Sequence, residues 1–469
     1  MNNVKAYILP ESKLRFILTK VPSAESCAVS LMIRVGSIYE HKHIHGGAHV
    51  IEHMMFKGTK DLPNKSELAK VLDSMGALYN AYTDYTMTSY HIKVQKKYLS
   101  EVIKILCQMV SQSLFREDDL IAEKPVVVEE LRRERDDPAA YIQELYYQTV
   151  FKHCKFGRPI GGEIKDVNEM KYSDLKKFWK ENYTIDNIVI SVAGNSSIEG
   201  IVDSVIKSNL LNEIGYSSGA NNMIVHQKLQ TKPRYRVQNR ENMKQVQIAL
   251  GFPCFGNQNP DRFILKVLRC ILGGNMSSRL FIKLRDHYGL AYTVSANTGL
   301  YDDVGEFSVS TGVDGSNIFS GNLDKKKGKG DPLAVIFNEI FKMVLSPVSK
   351  DELHTAKEYI KGGMLLEFED NQNICEFYGR ELLLGHPVLT IQAYLDAIDK
   401  VTVQDIHRIS KMIFVPNRMN LSLIGNITED DAKKYLDKSM TKWTNIISNN
   451  TGGSISTSVL QDQKKWYEF

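Results

Sequence analysis

At 469 residues the chain is too long for one small module; about 150 residues per domain allows three domains, and a duplicated pair of about 200 residues each fits equally well. Its 59 Lys and Arg against 55 Asp and Glu leave a net charge of +4, too even a balance for a protein of nucleic acids or membrane surfaces. With 43% hydrophobic and 24% charged residues it has ample material for buried cores and does not resemble a disordered polypeptide.

The six cysteines, Cys27, Cys107, Cys154, Cys254, Cys270 and Cys375, are scattered without a C-x-x-C pair, which argues for free thiols in a reducing compartment rather than a disulfide framework or thiolate zinc site. The first sixteen residues carry neither the apolar core of a secretion signal nor the Arg/Ser-rich character of a transit peptide. No apolar run approaches membrane-spanning length. The expectation is a cytoplasmic protein, or one of the mitochondrial matrix if a presequence has been removed.

In chain order, residues 29–35 and 188–192 read as strands, being short, β-branched and bounded by Gly or Asn. Residues 99–114 and 174–182 carry apolar positions at 3.6 spacing and read as helices. The result is an α/β (α+β) protein. Residues 216–232, with YSSGANN and little apolar periodicity, read as a linker between an N-terminal domain at 1–215 and a C-terminal domain at 233–445. Each half starts with strands, is expected to enter a helix after a Gly-Gly pair (Gly46-Gly47, Gly273-Gly274), and ends on a strand closed by Gly-Asn, VISVAGN facing LSLIGN. That pattern points to duplication. The Lys/Gly-rich insertion at 316–331 reads as a solvated loop before a helix at 333–345, and 446–469 as a flexible tail.

The sharpest chemical signal is Gly46-Gly47-Ala48-His49-Val50-Ile51-Glu52-His53. On a helix His49 and His53 lie one turn apart on one face, so both imidazoles reach one zinc ion, and Glu52 projects beside them toward an open coordination position. This is H-x-x-E-H, the inverse of the commoner zincin order. Histidines at this spacing also recur on surface helices with no metal. A catalytic zinc needs a third protein ligand. Glu123 and Glu130, seven residues apart, share a helical face, with Glu129 rotated by about 100° from Glu130; one of these carboxylates can ligate and another support it. His41, His43 and His45 precede the motif without an acidic partner in the sequence and are not read as a second site.

The context GGAHVIEHMMFKGT and the 77-residue interval from His53 to Glu130 resemble the pitrilysin-type metallopeptidases, among them mitochondrial processing peptidase, insulin-degrading enzyme and bacterial processing-peptidase-like proteases. The similarity extends to Gly36-Ser37, Asn80-Ala81-Tyr82-Thr83, the stretch from Glu123 to Pro138, Gly157-Arg158-Pro159-Ile160-Gly161, and Gly273 to Val294. It covers roughly residues 5 to 440.

The resemblance implies that His49, His53 and Glu130 bind one Zn2+ per chain, Glu52 is the general base, and Glu123 supports a ligand. It implies substrate contacts from Arg285 and Tyr292, seven residues apart, and an edge strand at Asn80 and Ala81 to which an extended peptide adds. The implied fold is two duplicated domains, each a mixed β-sheet packed with helices, forming half of a clamshell. The implied activity is that of a zinc metalloendopeptidase cutting unfolded or short peptides inside a dimeric chamber. The expected partner is a second copy of the chain or a homologous subunit, with Arg285 and Tyr292 acting across the dimer; no nucleic acid and no membrane is expected. A catalytically silent structural or partner subunit of a processing-peptidase-like complex is the alternative.

Overall fold

The computed structural model describes residues 3–217, 225, 230–320 and 330–451. Most of the expected linker, the Lys325 to Lys327 run and the end of the expected tail lie outside the described residues. The chain divides into two compact units, each assembled from separate segments: Met1–Arg133, Arg158–Met223 and Gly363–Thr390 in the first, Glu134–Gly157, Ile224–Gly362 and Ile391–Phe469 in the second.

The first unit is built on a six-stranded sheet: β1 (Asn3–Ile8), β2 (Arg15–Lys20), β3 (Ser26–Ile33), β4 (Leu78–Thr83), β5 (Thr88–Gln95) and β6 (Ile188–Gly194), in spatial order β1-β2-β6-β3-β5-β4. Only β2 and β6 run parallel; the other pairs are antiparallel. β6 (IVISVAG) is buried at every position, as expected of a β-branched run in the middle of a sheet covered on both faces.

The second unit has a five-stranded sheet: β7 (Arg234–Asn239), β8 (Gln245–Phe255), β9 (Ala291–Leu300), β10 (Val304–Asp314) and β11 (Asn420–Gly425), in the order β7-β11-β8-β10-β9. Again only the pair at one side, β7 with β11, is parallel. Placing β7, β11, β8, β10 and β9 over β2, β6, β3, β5 and β4 reproduces every pairing direction, so the duplication extends to topology. The first unit differs by the added β1. The second unit's core gathers Phe252, Phe307, Phe337, Phe414 and Trp443, all at most 5% exposed, with Phe414 edge-on to both Phe252 and Phe307 at 5.3 Å.

The Ser of each Gly-Asn-terminated strand makes the same bond. Ser191 of β6 donates to the Cys375 carbonyl at 2.7 Å, and Ser422 of β11 lies 3.3 Å from the Leu145 carbonyl. These carbonyls belong to the helices that cover the two sheets, and the helices are exchanged along the chain. Helix Asn371–Leu384, from the C-terminal half, packs on β2, β3 and β6, whereas helix Pro138–Val150, from the N-terminal half, packs on β7, β8 and β11. Close approach is specified by glycine: a Cβ on Gly379 would stand 2.7 Å from Met32 Sδ and 2.8 Å from Ser191 Cβ.

Gly273-Gly274 closes helix Arg262–Gly273, and a further helix, Phe281–His287, follows the pair; a Cβ at Gly273 would lie 2.7 Å from the Ala296 nitrogen, so the glycine serves contact between helix and β9. One local expectation is corrected. The segment read as a tail from residue 446 begins inside a helix, Glu429–Thr451. The six cysteines are unpaired, and all but Cys154 are buried. Among the described residues no single helix is long and apolar enough to cross a membrane.

Candidate metal centre

The H-x-x-E-H residues lie on helix Gly47–Met55 in the first unit. Ala48, Val50, Ile51, Met54 and Met55 are fully buried, which fixes the helix roll and leaves His49, Glu52 and His53 on the opposite, more open face. Gly46 starts the helix at φ 82, and a Cβ there would stand 2.2 Å from the Gly161 carbonyl oxygen, so only glycine lets the 159–162 turn close on the helix start.

Glu40 caps this helix from outside it. Its two carboxylate oxygens accept from the Gly46 and Ala48 backbone N–H groups at 2.9 and 2.8 Å, satisfying donors a helix start leaves open and placing negative charge at the positive end of the dipole. Glu40 is 1% exposed. It escapes sequence reading because it stands six residues before the first N–H it serves, outside any local capping pattern.

Helix Glu117–Asp136 brings the carboxylates. Oε2 of Glu130 is 3.4 Å from Nε2 of His53 and 4.0 Å from Nε2 of His49, and one ligand atom from each of the three lies within 4.8 Å of the others. Two ligands at about 2.1 Å from a tetrahedral zinc stand about 3.4 Å apart, so these three sit close to a zinc-ligating arrangement, and two imidazoles with one carboxylate is a known zinc donor set. Glu129 points elsewhere and pairs with Arg132.

Glu123 is buried and its Oε1 lies 2.9 Å from Nδ1 of His53, while its Oε2 is paired with Lys57. The Nδ1 contact fixes the ring so that Nε2 is presented to the ligand cluster. Nδ1 of His49 is buried and has no hydrogen-bond partner, so only its Nε2 has an acidic neighbour. Lys57 stands in the FKGT stretch; nothing in its spacing distinguishes it from a surface lysine.

The electrostatics describe a site built for a cation. Burial pushes His49 down to about 4, with His53 adding to the effect. At His53 burial opposes the charged form, but the bonds to Glu123 and Glu130 prevail and carry it up to about 9. Burial alone would raise Glu123, yet His53 and Lys57 hold it at about 2. Burial raises Glu52 above the ordinary carboxylate range, and its Oε2 accepts from the Thr83 hydroxyl at 2.6 Å.

Asn80 and Ala81 lie on β4, at the open edge of the sheet beside this helix. Asn80 is exposed, and its side-chain oxygen accepts from Ala81 N–H at 2.9 Å. Arg285 and Tyr292 come together on the second unit: the guanidinium stacks on the rings of Phe281 and Tyr292 at 4.8 and 4.7 Å and reaches the Tyr292 carbonyl at 3.3 Å. Tyr292 is 78% exposed. The early histidines diverge: His45 pairs with Asp166 at 3.2 Å and His41 lies edge-on to Phe178.

Duplicated mixed sheets with an inverted H-x-x-E-H helix and a distant glutamate define the class as that of the inverted-motif zinc peptidases. Residues 15–163 match the profile of Insulinase (Peptidase family M16), and residues 169–360 and 400–465 that of the Peptidase M16 inactive domain; the chain belongs to peptidase family M16. His49, His53 and Glu130 all fall within the first match. An uncharacterized zinc protease of Streptomyces coelicolor is 27% identical over 433 residues, covering 90% of each chain. The uncharacterized zinc protease YmxG of Bacillus subtilis is 28% identical over 410 residues, covering 86% of this chain and 94% of its own. In fold, a protease from Helicobacter pylori superposes with a TM-score of 0.82 at 20% identity, over 90% of this chain and all of that one.

Proposed function

We propose that the chain is a zinc-dependent endopeptidase that hydrolyses unfolded or short peptides, with His49, His53 and Glu130 holding one zinc and Glu52 as general base. The observation that carries this reading is the convergence of the three ligand atoms within 4.8 Å, with Glu52 on the same helix face as both histidines. A zinc ion there would supply a Lewis acid and bring the pKa of an adjoining water to about 7.

Glu52 would take the proton of the attacking water and return it to the leaving amine. Glu123 orients His53, and Lys57 keeps Glu123 charged. The open edge of β4 would take the substrate as an added strand, read through its backbone; the exposed Asn80 amide would leave Ala81 N–H to the peptide. Arg285 and Tyr292 would hold substrate or the developing oxyanion. Their exposure on their own unit supports a role across a dimer of two such chains.

The test is cleavage of a quenched-fluorescence peptide library by wild type, chelator-treated, zinc-restored and Glu52→Gln protein. Activity that chelation removes, zinc restores and Glu52→Gln lacks while still binding zinc supports the reading. Wild type that binds zinc and cuts nothing, alone or with a homologous subunit, favours the silent-subunit alternative, which the second profile's description as an inactive domain keeps in view.

A further inference from the structure

Glu52 has a fixed partner that the motif does not contain. Thr83, the last residue of β4, directs its hydroxyl at Glu52 Oε2 over 2.6 Å, the length of a charge-assisted O–H···O bond. Among the described residues it is the one hydrogen-bond partner of that carboxylate. The direction of the bond is set by its neighbours. Thr88, paired with Thr83 across the hairpin, donates its own proton to the Val35 carbonyl at 2.8 Å, and its oxygen stands 3.4 Å from that of Thr83. The Thr83 proton therefore goes to the nearer and charged acceptor, Glu52. The same hydroxyl can serve a protonated Glu52 by turning its proton toward Thr88, so the contact survives either form of the base.

The hairpin bearing Thr83 is itself held against the chain segment that caps the metal helix. Ser37 and Ile38 N–H groups donate to the Asp84 and Tyr85 carbonyls at 3.2 and 3.0 Å, and a Cβ on Gly36 would lie 2.2 Å from the Asp84 oxygen. Two residues after Ile38, Glu40 caps the helix that carries Glu52. Residues 36–40 thus tie the edge hairpin and the helix start into one rigid piece, and Thr83 to Glu52 is the side-chain bond that closes the loop.

We propose that Thr83 is a positioning residue, which holds the Glu52 carboxylate in the single orientation that serves the water beside the metal cluster and couples that orientation to the strand on which peptide would add. This inference rests on the peptidase reading for its kinetic consequence but not for its geometric one. A glutamate has three rotatable bonds and, without an anchor, spreads over several rotamers.

The experiment compares zinc-loaded wild type, Thr83→Val and Thr83→Ser. Thr83→Val, nearly isosteric without the hydroxyl, is expected to lower kcat by about 10- to 100-fold with KM, zinc content and melting temperature close to wild type; Thr83→Ser, which keeps the donor, restores most of the rate. Thr83→Ala repeats the comparison if Thr83→Val lowers the melting temperature. Crystal structures supply the readout independent of turnover: Glu52 in one rotamer in wild type and Thr83→Ser, dispersed or turned away in Thr83→Val. An active wild type whose Thr83→Val form is equally fast, or a Glu52 unmoved in the Thr83→Val crystal, overturns the inference. A wild type that binds zinc without cutting peptides, together with a Glu52 displaced in Thr83→Val, overturns the peptidase reading and leaves Thr83 as the anchor of Glu52.

Discussion

Nδ1 of His53 stands 2.9 Å from Oε1 of Glu123, and this contact decides which ring nitrogen is left for a metal. Glu123→Gln keeps an oxygen near the ring but removes the charge that Lys57 and His53 share. Zinc affinity is expected to fall about 10- to 100-fold, with Lys57→Met having a smaller effect in the same direction. Competition with a chromophoric chelator measures both; unchanged affinity in Glu123→Gln would remove it from the site.

Gly46→Ala puts a methyl group 2.2 Å from a backbone oxygen that cannot move aside and imposes a left-handed φ on an L residue. The combined cost is expected to be roughly 2 to 4 kcal/mol. Because the clash lies at the start of the metal helix, zinc occupancy should fall along with the melting temperature. Gly161→Ala, whose Cβ would meet the end of the flexible Leu131 side chain at 2.6 Å, should be milder on both counts.

If Arg285 acts across a dimer, two inactive chains can repair one another. Mixing Glu52→Gln with Arg285→Ala protein creates one dimer site with every group present, so activity should reappear after subunit exchange. Light scattering on the same samples reports the assembly. A dimer that exchanges subunits without regaining activity would place the Arg285 function, if any, within its own chain.

Glu306 is 2% exposed on β10, and burial pushes its carboxyl up to about 8, with the nearby polar groups of Ser308, Gly299, Tyr146 and Tyr147 acting the other way. The folded chain therefore holds this proton more tightly than the unfolded chain, whose carboxyl titrates near 4.5. Its contribution is fully present below about pH 4.5 and is lost as pH rises through 8, amounting to on the order of 5 kcal/mol by proton linkage. Urea unfolding of the second unit should weaken from pH 5.5 to 8.5 in wild type and far less in Glu306→Gln, which carries the neutral form permanently. Parallel pH profiles for the two proteins would show that Glu306 is not the cause.

The parts of this molecule that are local in sequence were legible there. The H-x-x-E-H face follows from helical spacing alone, and VISVAGN with LSLIGN marked the duplicated strands, down to the serines that bond the covering helices. Glu130 was singled out over Glu129 by the family resemblance; on the helix the two differ by only about 100°, and burial separates them. What stayed hidden is what arises only after the chain folds back. Glu40, Lys57 and Thr83 act on residues they do not adjoin in any short pattern, and nothing local in Gly273-Gly274 tells that Gly273 also serves a close approach to a distant strand. The Asn371–Leu384 helix carries no mark in its own sequence of the sheet it will cover.

That exchange of helices sets a timetable for synthesis. The sheet of the first unit has all six strands once Gly194 has been made, yet the helix that covers it is not complete until Leu384. At roughly 5 to 20 residues per second, the nascent chain must carry that sheet with one face unroofed for on the order of ten to forty seconds. A ribosome stalled between Gly194 and Leu384 would hold a chain that has its metal ligands but lacks the cover of the sheet beside them.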